Sequence, residues 1–106
     1  MTDTQTLLKR AADHMTAAAR LTRCDDTPSS HAVAGVIELT RAGIAPATLE
    51  DVDPTPGPTT TIGRLHAALA ALDAIDPIDG PPDLLAWSWQ VADLIRILEA
   101  REAAQP

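Results

Sequence analysis

The chain has 106 residues and a formal net charge of −7, a length that fits one domain. Hydrophobic residues make up 45% and charged residues 22%, near the globular averages, so the composition argues against a disordered chain. The acidic balance disfavours phosphate backbones and anionic membranes, the polar start Met1-Thr2-Asp3 predicts no signal peptide, and no apolar run approaches the ~20 residues of a bilayer span.

Trp87 and Trp89 are the only aromatic residues, and Phe and Tyr are absent. The core must therefore be built from Leu, Ile, Val and Ala, which bring less area to bury at roughly 25 cal/mol per Å². A chain of this size buries about two-thirds of its unfolded surface, so modest stability and some benefit from a partner are expected. Cys24 is the sole cysteine, which excludes an intrachain disulfide and fits a reducing cytoplasm. One Lys (Lys9) against seven Arg, with abundant Ala, Asp, Pro and Thr, is the bias of a GC-rich genome and suggests a bacterial or phage source.

The first predicted helix spans about Thr4 to Arg23. Leu7, Leu8, Ala11, Ala12, Met15, Ala18 and Ala19 share one face, with Lys9, Asp13, Thr16 and Arg20 opposite. This is an amphipathic helix, and it should stop in Asp25-Asp26-Thr27-Pro28. The second helix runs about Ser30 to Ala42, capped by Ser29 or Ser30. Val33, Val36, Ile37 and Thr40 lie together, Ile44 follows, and Gly43 occupies the position expected of a C′ glycine. A short helix at 47–52 is possible. The connector 53–58, with three prolines in five residues, is compatible with neither helix nor central strand.

The third helix covers about Thr59 to Ile75, with its cap among Thr59 to Thr61. Ile62, Leu65, Leu69 and Leu72 form one stripe, and Ala67, Ala70, Ala71 and Ala74 lie opposite. A helix this apolar all round is expected to be buried on more than one side. After the turn-forming stretch Asp76–Pro82, Asp83 is the expected cap of a fourth helix reaching about Ala103. No segment alternates like a strand. The expectation is one all-α domain over 1–106, a compact four-helix bundle-like fold with a Pro-rich connector between its second and third helices.

The fourth helix holds the most telling pattern. Leu84, Trp87, Val91, Leu94, Ile95 and Leu98 form a core face. Residues two apart on a helix point in roughly opposite directions, so Trp89 cannot join Trp87 there. Trp89 groups with Leu85 and Ala92, and Arg96 follows one turn on. This second apolar patch packs against the 45–58 connector, is a partner or self-association surface, or lines a small-molecule pocket; Trp and Arg are the usual anchors of partner surfaces.

Chemistry-bearing constellations are sparse. His14 flanks the apolar face of the first helix. His31 and Glu38, and likewise His66 and Asp73, stand two turns apart, about 10 Å along the axis, too far to share an ion unaided; no metal is expected. Asp73, Asp76, Asp79 and Asp83 lack calcium-loop spacing and fit caps and turns better. Cys24 sits at a helix C-terminus beside Asp25 and Asp26, the opposite of a thiolate-stabilising site. No glycine-rich phosphate loop occurs, and no catalytic residue or cofactor is implied. The stretch Glu38–Val52 resembles a bacterial helix-turn-helix at Gly43, Ile44, Leu49 and Val52. It departs at Leu39, and its would-be recognition helix offers Glu50, Asp51 and Asp53 where base-reading side chains belong. It reads as a packing corner, and nucleic acid is not the expected partner.

Three functions fit these features. The first is a non-catalytic protein-interaction module, a small cytoplasmic accessory, adaptor or regulatory subunit, with a protein partner or homo-oligomer meeting Leu85, Trp89, Ala92 and Arg96. The second is a small-molecule or catalytic site inside the bundle, with His14, His66, Asp73 and Trp87 as its pocket. The third is an acidic inhibitor that occupies a basic, nucleic-acid-binding surface.

Overall fold

In the computed structural model, residues 3–25, 27–44 and 57–104 are described. They form four helices and, among the described residues, no strand: α1 (Thr4–Arg23), α2 (Pro28–Ile44), α3 (Thr61–Asp73) and α4 (Leu84–Ala104). The all-α, bundle-like architecture expected from the sequence is the one observed. The possible short helix at 47–52 and connector residues 53–56 lie outside the described residues. None of the described helices is long and apolar enough to cross a membrane.

The helix starts follow from side-chain oxygens that take up orphan N–H groups. Asp3 accepts from the Thr6 N–H at 2.7 Å and starts α1. At α2 the cap is Thr27, whose hydroxyl oxygen accepts from the Ser30 N–H at 3.1 Å. The expected cap at Ser29 or Ser30 is therefore two to three residues late: Pro28 occupies the first helical position, where its missing N–H costs nothing. Thr60 caps α3 by accepting from the Gly63 N–H at 3.0 Å. Asp83 meets α4 through its backbone carbonyl, which accepts from the Trp87 N–H at 3.0 Å; no carboxylate cap forms there among the described residues.

The ends also differ from expectation in two places. Gly43 is not a C′ residue, because α2 continues to Ile44. Its missing side chain serves packing instead: a Cβ there would lie 3.3 Å from the Trp87 indole nitrogen. The last α-helical residue of α3 is Asp73 rather than Ile75, and Ile75 closes the turn with a tighter i−3 bond, its N–H to the Leu72 carbonyl at 3.2 Å.

The helices form a ring. α1 packs against both α2 and α3, α3 packs against α4, and α4 touches α2 only lightly; α1 and α4 are diagonal and do not meet. All seven residues of the expected α1 stripe are buried, with Ala11, Met15 and Ala18 fully so. Alanine at 11 and 18 lets the neighbouring helices approach closely. From α2 come Val33, Ala34, Ile37, Thr40 and Ile44; Val36, assigned to that face from the sequence, is exposed. α3 supplies Leu65, Ala68, Ala71 and Leu72, while Leu84, Val91, Leu94 and Ile95 come from α4. Ile62, Leu69, Trp87 and Leu98 are half-buried against this core. The Thr22 hydroxyl bonds the Ala18 carbonyl at 2.8 Å and meets the Thr61 hydroxyl at 3.1 Å, tying the end of α1 to the start of α3.

Gly63 gives a test of this packing. Alanine is favoured over glycine inside a helix by about 1 kcal/mol. Yet a Cβ at 63 would stand 2.6 Å from Pro58 Cβ and 2.8 Å from the capping Thr60 Oγ1. Gly63→Ala is expected to destabilise the fold by about 1 kcal/mol or more despite its better propensity. Thermal unfolding decides: a raised melting temperature would refute the close approach of Pro58.

Candidate functional site

Helix α4 has one full neighbour, α3, and one slight neighbour, α2. Its inner side is absorbed by the core through Leu84, Val91, Leu94 and Ile95. Trp87 fills the narrow contact with α2, over Gly43. The rest of the helix faces solvent, and there the sequence has placed apolar bulk: Leu85 is 68% and Trp89 71% exposed. Trp89, Gln90, Ala92, Asp93 and Arg96 line a shallow open groove. Arg96 donates to Asp93 at 3.0 Å across one turn, and both side chains are solvated. The four residues assigned from the sequence, Leu85, Trp89, Ala92 and Arg96, thus share one outer face, with Ala92 half-buried at its edge.

The other group, His14, His66, Asp73 and Trp87, is not brought together. His14 is buried on α1 against α3. His66 is exposed and meets Glu99 of α4 at 3.2 Å. Asp73 is exposed at the end of α3. Trp87 lies at the α2–α4 contact. Their convergence required α1 and α4 to be neighbours, which the diagonal arrangement prevents. Among the described residues no three His, Cys, Asp or Glu side chains gather as a metal-binding group. Asp76 organises its own turn: its carboxylate accepts from the Ile78 N–H at 3.0 Å and its carbonyl from the N–H groups of Asp79 and Gly80. Cys24 is exposed at the end of α1. The stretch resembling a helix-turn-helix continues from α2 into residues 45–52, outside those described.

Sequence reasoning missed a buried polar pair. Arg64 Nη1 donates to His14 Nδ1 at 3.0 Å, and both side chains are buried. Gly57 lies over them, since a Cβ there would be 2.8 Å from Arg64 Nη1 and 3.0 Å from His14 Cε1. A signal was available: at 100° per residue, Arg64 falls on the same stripe as Ala68, Ala71 and Ile75, which faces the core. Because Nδ1 accepts, the imidazole is neutral with its proton on Nε2. Burial holds the His14 pKa below the ordinary imidazole value, and the Arg64 guanidinium adds to that, against a smaller upward pull from Asp13.

A second concavity, about 490 Å³, opens where the ends of α1 and α4 meet the starts of α2 and α3. Thr22, Thr27, Ser30 and Thr61 are among the residues that line it, with Arg101 and Glu102 beside them. Neither the α4 patch nor any of His14, His66, Asp73 and Trp87 belongs to it. Comparison of the chain with protein-family models, curated proteins and solved structures returns no match.

The His14–Arg64 pair sets a pH dependence. A histidine whose folded pKa is depressed binds its proton in the unfolded state first, so stability falls as pH drops through the unfolded value of about 6.5. The melting temperature is expected to decline as pH falls below about 6.5, toward the depressed folded value of His14. His14→Leu lowers stability at neutral pH, because Arg64 loses that acceptor, but flattens the decline over the same window. Equal slopes for the two proteins would show that His14 is not its source.

Proposed function

We propose that this chain is a non-catalytic protein-interaction module, a small accessory, adaptor or regulatory subunit that docks through the outer face of α4. One observation carries the reading: Leu85 and Trp89 stand side by side in solvent on a helix whose inner face already fills the core. Tryptophan is among the most highly buried residues on average. A tryptophan with an adjacent leucine and an arginine one turn away has the composition of an interface anchor. The chain has apolar bulk to spare there while its core is built without Phe or Tyr, so the bulk supports contact with something outside the fold. The small-molecule alternative gains no support from His14, His66, Asp73 and Trp87, which stand apart.

The reading is tested with Trp89→Glu. Trp89 contributes little to the core, so the variant should keep the wild-type melting temperature to within a few degrees, the size of a shift for roughly 0.5 kcal/mol at a surface position. It should lose partner binding, read as oligomeric state by light scattering and as specific capture by the immobilised chain. A wild-type monomer that captures nothing, with behaviour unchanged by Trp89→Glu, would remove the proposal.

A further inference from the structure

Resting on that reading of α4, we infer that the partner of this face is a second copy of the same chain, with the two α4 helices antiparallel in one defined register. At 100° per residue, Leu85, Trp89, Asp93, Arg96, Ala100 and Ala103 fall within about 80° of arc, and all six are exposed. The stripe is unequal along its length. Its first half carries the bulk, Leu85 and Trp89. Its middle carries one acid and one base. Its last half carries only alanine.

Such a stripe complements itself when it is reversed. A two-fold axis at the level of Leu94 and Ile95 sets Trp89 opposite Ala100 of the second copy, and Leu85 opposite Ala104. In the same register Asp93 lies opposite Arg96, and Arg96 opposite Asp93. Every large side chain meets a small one, and each charge meets its opposite. A two-fold interface requires this kind of self-complementary patch. The parallel arrangement fails on both counts: Trp89 meets Trp89, alanine meets alanine, and Asp93 and Arg96 each face their own kind. The in-helix bond between Arg96 and Asp93 is solvated at both ends, so exchanging it for contacts across the axis requires no core group to move.

The net charge of −7 per chain opposes self-association over long range, but screening at physiological ionic strength limits that repulsion to about 8 Å. The stripe itself is neutral, with one Asp and one Arg. Glu99 lies on its flank and is engaged with His66.

Charge exchange tests the register in the full chain, using sedimentation or light scattering across a concentration series. The wild type is expected to dimerise. Asp93→Arg alone and Arg96→Asp alone each place like charges across the axis in two symmetric places, and each should weaken dimerisation at least tenfold. Mixing those two variants should restore dimers, as heterodimers, because one chain then offers two bases and the other two acids. The double variant Asp93→Arg/Arg96→Asp should restore the homodimer. Melting curves of the isolated variants establish that each folds. Dimers that persist unweakened in both single variants would overturn the register. A wild-type monomer that nevertheless captures a different protein through Trp89 would overturn the second copy as partner and leave the docking face standing. A monomer without any Trp89-dependent capture would remove both.

Discussion

Close approach to α1 is the constraint on which the rest of this fold depends. α1 has the two most extensive helix–helix contacts, with α2 on one side and α3 on the other, and its inward face combines alanine with Leu7, Leu8 and Met15. Fully buried Ala11 and Ala18 put no bulk between α1 and its neighbours, so α2 and α3 can come near in a core without Phe or Tyr. Close packing is what a small-residue core requires, because lost contacts around a void cannot be recovered from bulk. α4 cannot reach α1 once α2 and α3 have taken both of its sides. It therefore sits across the ring with one strong contact and one weak one, and that position leaves its outer face without a neighbour among the described residues.

Periodicity made much of this legible. The α1 stripe is buried residue for residue, and the opposite directions of Trp87 and Trp89 follow from helical spacing alone. Three features were not legible, each for a physical reason. The start of α2 hinges on whether Thr27 or a following serine takes the first free N–H, and all three residues are competent caps. The role of Gly43 depends on the Trp87 ring of a helix forty residues on, and local sequence cannot report that proximity. The ring order of the helices, with α1 and α4 diagonal, decides that His14 and Trp87 stay apart, and periodicity says which face is apolar without saying which helix it meets. Arg64 lies between these cases. Its stripe pointed inward, but a charged side chain on an apolar stripe is ordinarily assigned to solvent, and only the fold shows the histidine acceptor waiting for it.

The polar pair of His14 and Arg64 and the apolar patch of α4 have contrasting places in the fold. The pair lies where α1 and α3 are tight, so its energetics are tied to folding, and protonating the imidazole works against the packed state. The patch lies where packing has run out, so its energetics are available to binding. Alanine contributes at both: at 11 and 18 it admits neighbours of the same chain, and along the last turns of α4 it leaves room beside the helix for a larger side chain from outside.

The distribution of the two tryptophans has a spectroscopic consequence. They are the only aromatic residues of the chain, so near-ultraviolet absorption and emission come from two indoles two residues apart. One ring is lodged against Gly43 and half-shielded; the other is bathed in water. A soluble quencher should divide the emission into a protected and an accessible component, and replacing either ring with phenylalanine should leave one of them alone. The protected component follows whether α2 and α4 remain together, and the accessible one follows whatever covers α4. The molecule thus carries separate optical reporters of its integrity and its occupancy, with no dye attached.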